Sequence, residues 1–136
     1  MRSLFVLLLS MLFACHSEPP VALEPAWGKQ SCAQCGAVLQ DPRAAAQALL
    51  PDDSRKFFDD VGCLAAWLNV SGKKATKIWA KSVDGERWVD AATAHYGAGF
   101  RTPQGYGFLS ADKGLSFRDL RIVVRERPDI PTRAAP

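Results

Sequence analysis

Two cysteines, Cys32 and Cys35, stand two residues apart in the stretch QSCAQCGAVLQ, and Gly36 follows the second directly. A C-x-x-C pair serves one of three chemistries: dithiol exchange, half of a zinc knuckle, or a soft-metal clamp. Dithiol exchange wants the pair at a strand-to-helix junction inside a βαβ pattern. Here no strand pattern precedes it and a β-prone Ala-Val-Leu follows, which weighs against that reading; a plain Cys32–Cys35 disulfide stays open. A closed zinc site needs four ligands. Cys63 and His95 are the residues available to complete it, and neither has zinc-ribbon spacing. Cu(I) is satisfied by two or three thiolates. Cys63 suits that case: it falls in the first turn of a helix that Asp60 would cap, where the helix N-terminus favours the thiolate, the ligand form. A small buried core residue is the competing account of Cys63. The candidate metal ligands are therefore Cys32, Cys35, Cys63 and His95, for Cu(I) or, with a full ligand set, zinc.

Other chemistries find little support. No serine or histidine sits in a recognisable catalytic pattern, so the chain reads as a binding protein rather than an enzyme. Asp59 and Asp60 read as helix-capping residues rather than an acid–base pair. The net charge of +3 is too weak to suggest nucleic acid as a partner.

The N-terminus reads as a signal that directs the chain to a membrane. Arg2 is followed by an apolar run from Leu4 to Ala14, too short for a permanent span but organised like an export signal. The run ends Leu12-Phe13-Ala14-Cys15, which resembles a bacterial lipobox, so residues 1–14 read as a lipoprotein signal peptide and Cys15 as the lipidated first residue of the mature chain. A plain signal peptide cut nearby is the alternative. An acylated Cys15 would give a stable anchor on the inner or outer membrane, facing the periplasm. Met1 and Met11 both lie in the signal, so the mature chain would contain no methionine. Residues 15–30, rich in Pro and small residues, read as a flexible tether. Residues 31–127 read as the folded domain and 128–136 as a loose, Pro-rich tail.

Within the domain, Ala37 to Leu39 reads as a short strand. Ala44 to Leu50 fits strand or helix equally, and Arg55 to Phe58 reads as a strand. Asp59 or Asp60 caps a helix in which Val61, Leu64, Ala65 and Leu68 form one apolar stripe, ended by Gly72. Ile78 to Ser82 and Arg87 to Val89 read as a hairpin around Asp84-Gly85. ATAHYGAG suggests a helical turn or two, and GYGFLSA a strand. Ser116 could cap a last helix through Phe117, Leu120 and Val124, although the β-branched RIVV could pair as a strand instead. The segments KFFDDVGC and RWVDAATA echo each other, which fits two strand–strand–helix units in tandem, divided at about 72/73 (31–72 and 73–127). Trp67, Trp79, Trp88, Tyr96 and Phe108 read as core.

The segments CAQCGAVL, FFDDVGCLAAWL, WVDAATAHYGAG and TPQGYGF, in this order, resemble the NosL family, the accessory lipoproteins of nitrous oxide reductase. The resemblance covers nearly all of residues 31–120. It implies an α+β fold of two small strand–strand–helix subdomains, similar to part of the organomercurial lyase fold. It also implies a membrane-anchored copper chaperone that binds Cu(I) and passes it to a periplasmic copper enzyme such as nitrous oxide reductase. Cys32, Cys35 and Cys63 match family positions; His95 has no assigned counterpart. Two family methionines are replaced, by Ala37 and by Gln104, so a clamp here would hold Cu(I) with thiolates alone. A thiol–disulfide exchange protein and a metal-free scaffold of the same fold are the competing readings.

Overall fold

A computed structural model describes residues 17–127. Residues 1–16, which include the expected signal peptide and Cys15, and residues 128–136, read above as a loose tail, lie outside the described residues. The α+β expectation holds: two antiparallel sheets and two helices make up the domain. The first sheet contains β1 (Ala46–Leu49), β2 (Arg55–Phe58), β3 (Lys77–Lys81) and β4 (Trp88–Asp90), in the order β2-β1-β3-β4. The second contains β5 (His95–Gly97), β6 (Leu109–Ala111) and β7 (Leu115–Ser116), in the order β6-β5-β7. Helix α1 (Val61–Ser71) follows β2, and α2 (Phe117–Arg125) follows β7. Among the described residues, no helix is long and apolar enough to cross a membrane.

The division between the two units falls later than 72/73. Strands β3 and β4 belong to the first unit's sheet, because β1 presents a second edge opposite β2 and β3 pairs along it, Gln47 facing Trp79. The second unit is β5-β6-β7-α2. The strand form of Ala44 to Leu50 follows from the same pairing: β1 is central and buried along its whole length, so it shows no alternation. ATAHYGAG is a turn leading into β5 rather than a helix. Tyr96 is fully buried there, and its hydroxyl donates to Ala91 O at 2.8 Å, closing the turn. Ala37 to Leu39 makes only one antiparallel bridge, Ser31 with Val38.

Helix α1 begins as expected. Asp60 is its N-cap, accepting from Gly62 N at 2.9 Å, and Gly72 closes it at φ 65. Burial goes beyond one stripe: Val61 through Leu68 are all buried, as in a helix enclosed on every side. Asn69 then ties α1 to α2, donating to Arg121 O at 2.9 Å and accepting from Arg121 Nε at 3.0 Å. In α2, Ser116 accepts from Asp119 N at 3.1 Å, and Phe117, Leu120 and Val124 bury one face. That face and that cap hold RIVV helical despite its branching. Trp67, Trp79, Tyr96 and Phe108 are buried and Trp88 is half-buried, as a core role requires.

Residues 21–30 are not a free tether. The Gln47 side chain, fully buried, pairs with the Leu23 backbone in both directions, at 3.0 and 2.8 Å. Glu24 accepts from Lys81 Nζ at 2.6 Å and from Trp88 Nε1 at 2.7 Å. Lys81 is only 4 % exposed, and its ammonium also lies 4.7 Å from the Trp88 ring centre. Buried polar groups on the sheet therefore recruit the preceding segment, which no local pattern in that segment discloses.

The Glu24–Lys81 pair is asymmetric, because Glu24 keeps 55 % of its side chain in water. Glu24→Ala leaves the buried ammonium with only Glu86 O at 3.4 Å and the Trp88 ring, and is expected to cost about 2 kcal/mol. Lys81→Met leaves an exposed carboxylate and should stay within about 1 kcal/mol of the parent. Denaturant midpoints of both variants check the order. Burial pushes the Glu24 carboxyl up, but Lys81 and Trp88 outweigh it and hold it below its ordinary value of 4.5. The pair's contribution is thus complete above that value and fades as pH falls through the lowered one. Glu24→Gln should flatten that part of the acid-stability curve.

Candidate metal centre

The C-x-x-C segment folds as a tight knuckle. Cys32 N donates to Ala37 O at 2.7 Å, Gly36 N donates to Cys32 O at 3.0 Å, and Gly36 takes the left-handed φ of 77 that the turn requires. Ala33 N donates to Phe57 O at 2.8 Å, which docks the knuckle against the end of β2. Strand β2 runs straight into Asp59 and Asp60, and α1 opens with Cys63 in its first turn. The result brings four side chains together: Cys32, Cys35, Asp59 and Cys63, with the three sulfurs and a carboxylate oxygen all within 4.8 Å of one another. Cys32, Asp59 and Cys63 are 2 %, 1 % and 0 % exposed; Cys35 is half-buried. All three cysteines are free thiols.

His95 does not join them. It stands exposed on β5, in the second sheet, paired across to Ala111 and Ser116, and it lines a separate cavity of about 330 Å³ with Asp84 and Asp112. The fourth residue gathered with the cysteines is Asp59 and not the expected His95, because the cluster is assembled by the β2–α1 junction and the knuckle, whereas His95 stands on β5 of the second sheet.

The two adjacent aspartates have different jobs. Asp60 caps α1 and also accepts from Gln104 N at 3.2 Å; burial pushes its carboxyl up to about 6. Asp59 faces the sulfurs. Its Oδ1 accepts from the Cys35 thiol at 3.4 Å and its Oδ2 accepts from Gln104 Nε2 at 2.9 Å. Gln104 thus holds both carboxylates, one by backbone and one by side chain. It presents its amide nitrogen, a donor, to Asp59.

The three thiols act on one another electrostatically. The Cys63 thiol donates to Cys32, and the backbone N–H groups of Cys35 and Asp59 add to it. Against the opposing effect of burial, they bring the Cys32 thiol down to about 7. Burial, then the charges of Cys32 and Asp59, pushes Cys35 up to about 12, although the Ala37 N–H supports its sulfur. Cys63 is raised further still, by the proton it gives to Cys32 and by burial. Ala37 therefore contributes a backbone donor where it offers no side-chain ligand. A cation entering the cluster displaces these protons, so its affinity rises with pH.

The donor set fits a metal ion: three sulfurs and a carboxylate, converging and largely shielded from water. Asp59 is the member of this donor set that the chain's pattern did not disclose. The available signal was two consecutive aspartates before one helix, of which only one can occupy the cap. Comparison with family models, with curated proteins and with solved structures returned no match for this chain.

Proposed function

We propose that the protein binds a soft d10 ion, Cu(I) first among them, through Cys32, Cys35 and Cys63. It would act as a lipid-anchored, periplasm-facing chaperone of the NosL kind that passes copper to a copper enzyme such as nitrous oxide reductase. The observation that carries this reading is the convergence of three sulfurs within 4.8 Å in a chain region 32 residues long. The segments CAQCG, FDDVGC and TPQG, which carry the resemblance, supply the knuckle, the helix start and the Gln104 support of this one place. Two thiols are buried and Cys35 is half-buried, so an acceptor's ligand would approach the ion on the Cys35 side. Ligand exchange then proceeds by adding an acceptor thiolate before a donor leaves, which a low-coordinate Cu(I) site permits.

A second reading, structural zinc, is favoured by one specific observation: the Asp59 carboxylate completes a four-ligand Cys3Asp set. One experiment separates the two. Reduced protein is titrated against chromogenic chelators of Cu(I) and of Zn(II), as wild type, as Cys32→Ser/Cys35→Ser and as Asp59→Asn. Copper held by thiolates makes Asp59 a supporting partner of Cys35, so Asp59→Asn lowers Cu(I) affinity by at most about 10- to 100-fold, whereas loss of a zinc ligand at Asp59 lowers Zn(II) affinity by more than about 100-fold. If the double cysteine variant competes for Cu(I) as well as the wild type, the proposal fails.

A further inference from the structure

At the far end of α1 from the thiol cluster, two cavities of about 550 and 470 Å³ share Ala92, Phe117 and Arg121 as common walls, so they form one trough. The trough runs between the segment after α1 and the exposed side of α2. Six cations line it: Lys73, Lys74, Lys77, Arg118, Arg121 and Arg125. The acid that lines it is Asp90, which pairs with Lys77. Arg121 is held by Asn69, whereas Lys73, Lys74, Arg118 and Arg125 make no ion pair among the described residues. The whole chain carries a net charge of only +3, so six cations against one acid in a single trough is a strong local concentration. The floor is apolar, with buried Leu68, Ile78 and Phe117.

We propose that this trough docks an acidic, partly apolar segment of a partner protein. Charge complementarity sets the sign of the partner, since unpaired cations on both walls attract carboxylates and raise the encounter rate. Concavity decides between partners. A flat anionic bilayer reaches protruding cations but not a floor made of Leu68 and Phe117, whereas an extended or helical segment fills the trough with apolar side chains while its acids meet the rims. Arg118, Arg121 and Arg125 recur at the spacing of one helix face, which gives the segment a continuous cationic wall to run along. Cys63 and Lys73 are ten residues apart along and just past α1, roughly 15 Å by helical rise. The proposal stands whether or not the thiol cluster holds metal.

The test uses two probes with the folded protein: a fluorescent 12-residue peptide alternating Glu and Leu, and vesicles of phosphatidylglycerol mixed with phosphatidylcholine. The variant is Lys73→Glu/Lys74→Glu/Arg118→Glu/Arg125→Glu, all four exposed, with circular dichroism as a check that it folds. The expected result is saturable peptide binding in low salt that weakens at least tenfold in the variant and falls with added salt. Lys74→Gln/Arg118→Gln, a milder variant, should lie between the two. Equal binding by wild type and both variants overturns the proposal. So does binding to the vesicles with none to the peptide, since that assigns the cations to a membrane surface.

Discussion

If the thiol cluster holds Cu(I) as proposed, Cys63→Ser should lower Cu(I) affinity by more than about a hundredfold while leaving the fold in place. Loss of groups that merely support a ligand typically costs 10- to 100-fold, so removing one of three sulfurs should exceed that. Serine offers a hard oxygen that Cu(I) does not favour. The fold survives because the exchange is nearly isosteric at a fully buried position, and a buried hydroxyl in α1 can bond back to the carbonyl one turn earlier. A stability loss of about 1 kcal/mol is expected, visible as a small shift in the denaturant midpoint. Cys35→Ser provides the contrast. Its sulfur is half-buried and sits at the approach to the site, so its loss should slow transfer to a competing chelator as well as weaken binding. Stopped-flow transfer rates beside equilibrium competition distinguish the two positions. If Cys63→Ser binds Cu(I) as tightly as the parent, Cys63 is core and the cluster is a coincidence of packing.

What was legible in the chain was local. Asp60, Gly72 and the apolar spacing between them define α1 because caps and helical periodicity act over a few residues, and they place Cys63 in the first turn without further information. The Ser116 cap works the same way for α2. Asp59 was harder: it is chemically the same residue as Asp60, and what turns it to the sulfurs while Asp60 caps α1 is contact with distant residues, Cys35 and, 45 residues away, the Gln104 side chain. The docking of residues 21–30 was likewise hidden, because Gln47 and Lys81, the groups that demand it, lie on strands whose burial follows from sheet pairing. The later division between the two units has the same origin, as strand order in a sheet is a non-local property. His95 fell away for the converse reason: its residue type suited a ligand, but its strand belongs to the other sheet.

Gly62→Ala should cost about 3 kcal/mol or more and lower the melting temperature by over about 12 °C. The sign is diagnostic, because at an open helical site the same change is favourable by about 1 kcal/mol. Here a Cβ on Gly62 would stand 2.0 Å from Tyr106 Cγ and 2.4 Å from Cδ2, far inside contact distance. Tyr106 is 4 % exposed and packed in the core, so it has nowhere to withdraw, and Gly62 is fixed by its N–H bond to Asp60. Moving either breaks the cap that positions Cys63, or pushes aside the TPQGYGF segment whose Gln104 holds Asp59. The glycine before the cysteine in FDDVGC and the tyrosine of TPQGYGF are thus two halves of one contact. A double-mutant cycle isolates it. Tyr106→Ala alone opens a cavity and is expected to cost about 3 to 5 kcal/mol. Adding Gly62→Ala to it should cost little more, giving a coupling of about 2 kcal/mol or above. If the two losses simply add, the contact is not the reason that glycine stands at position 62.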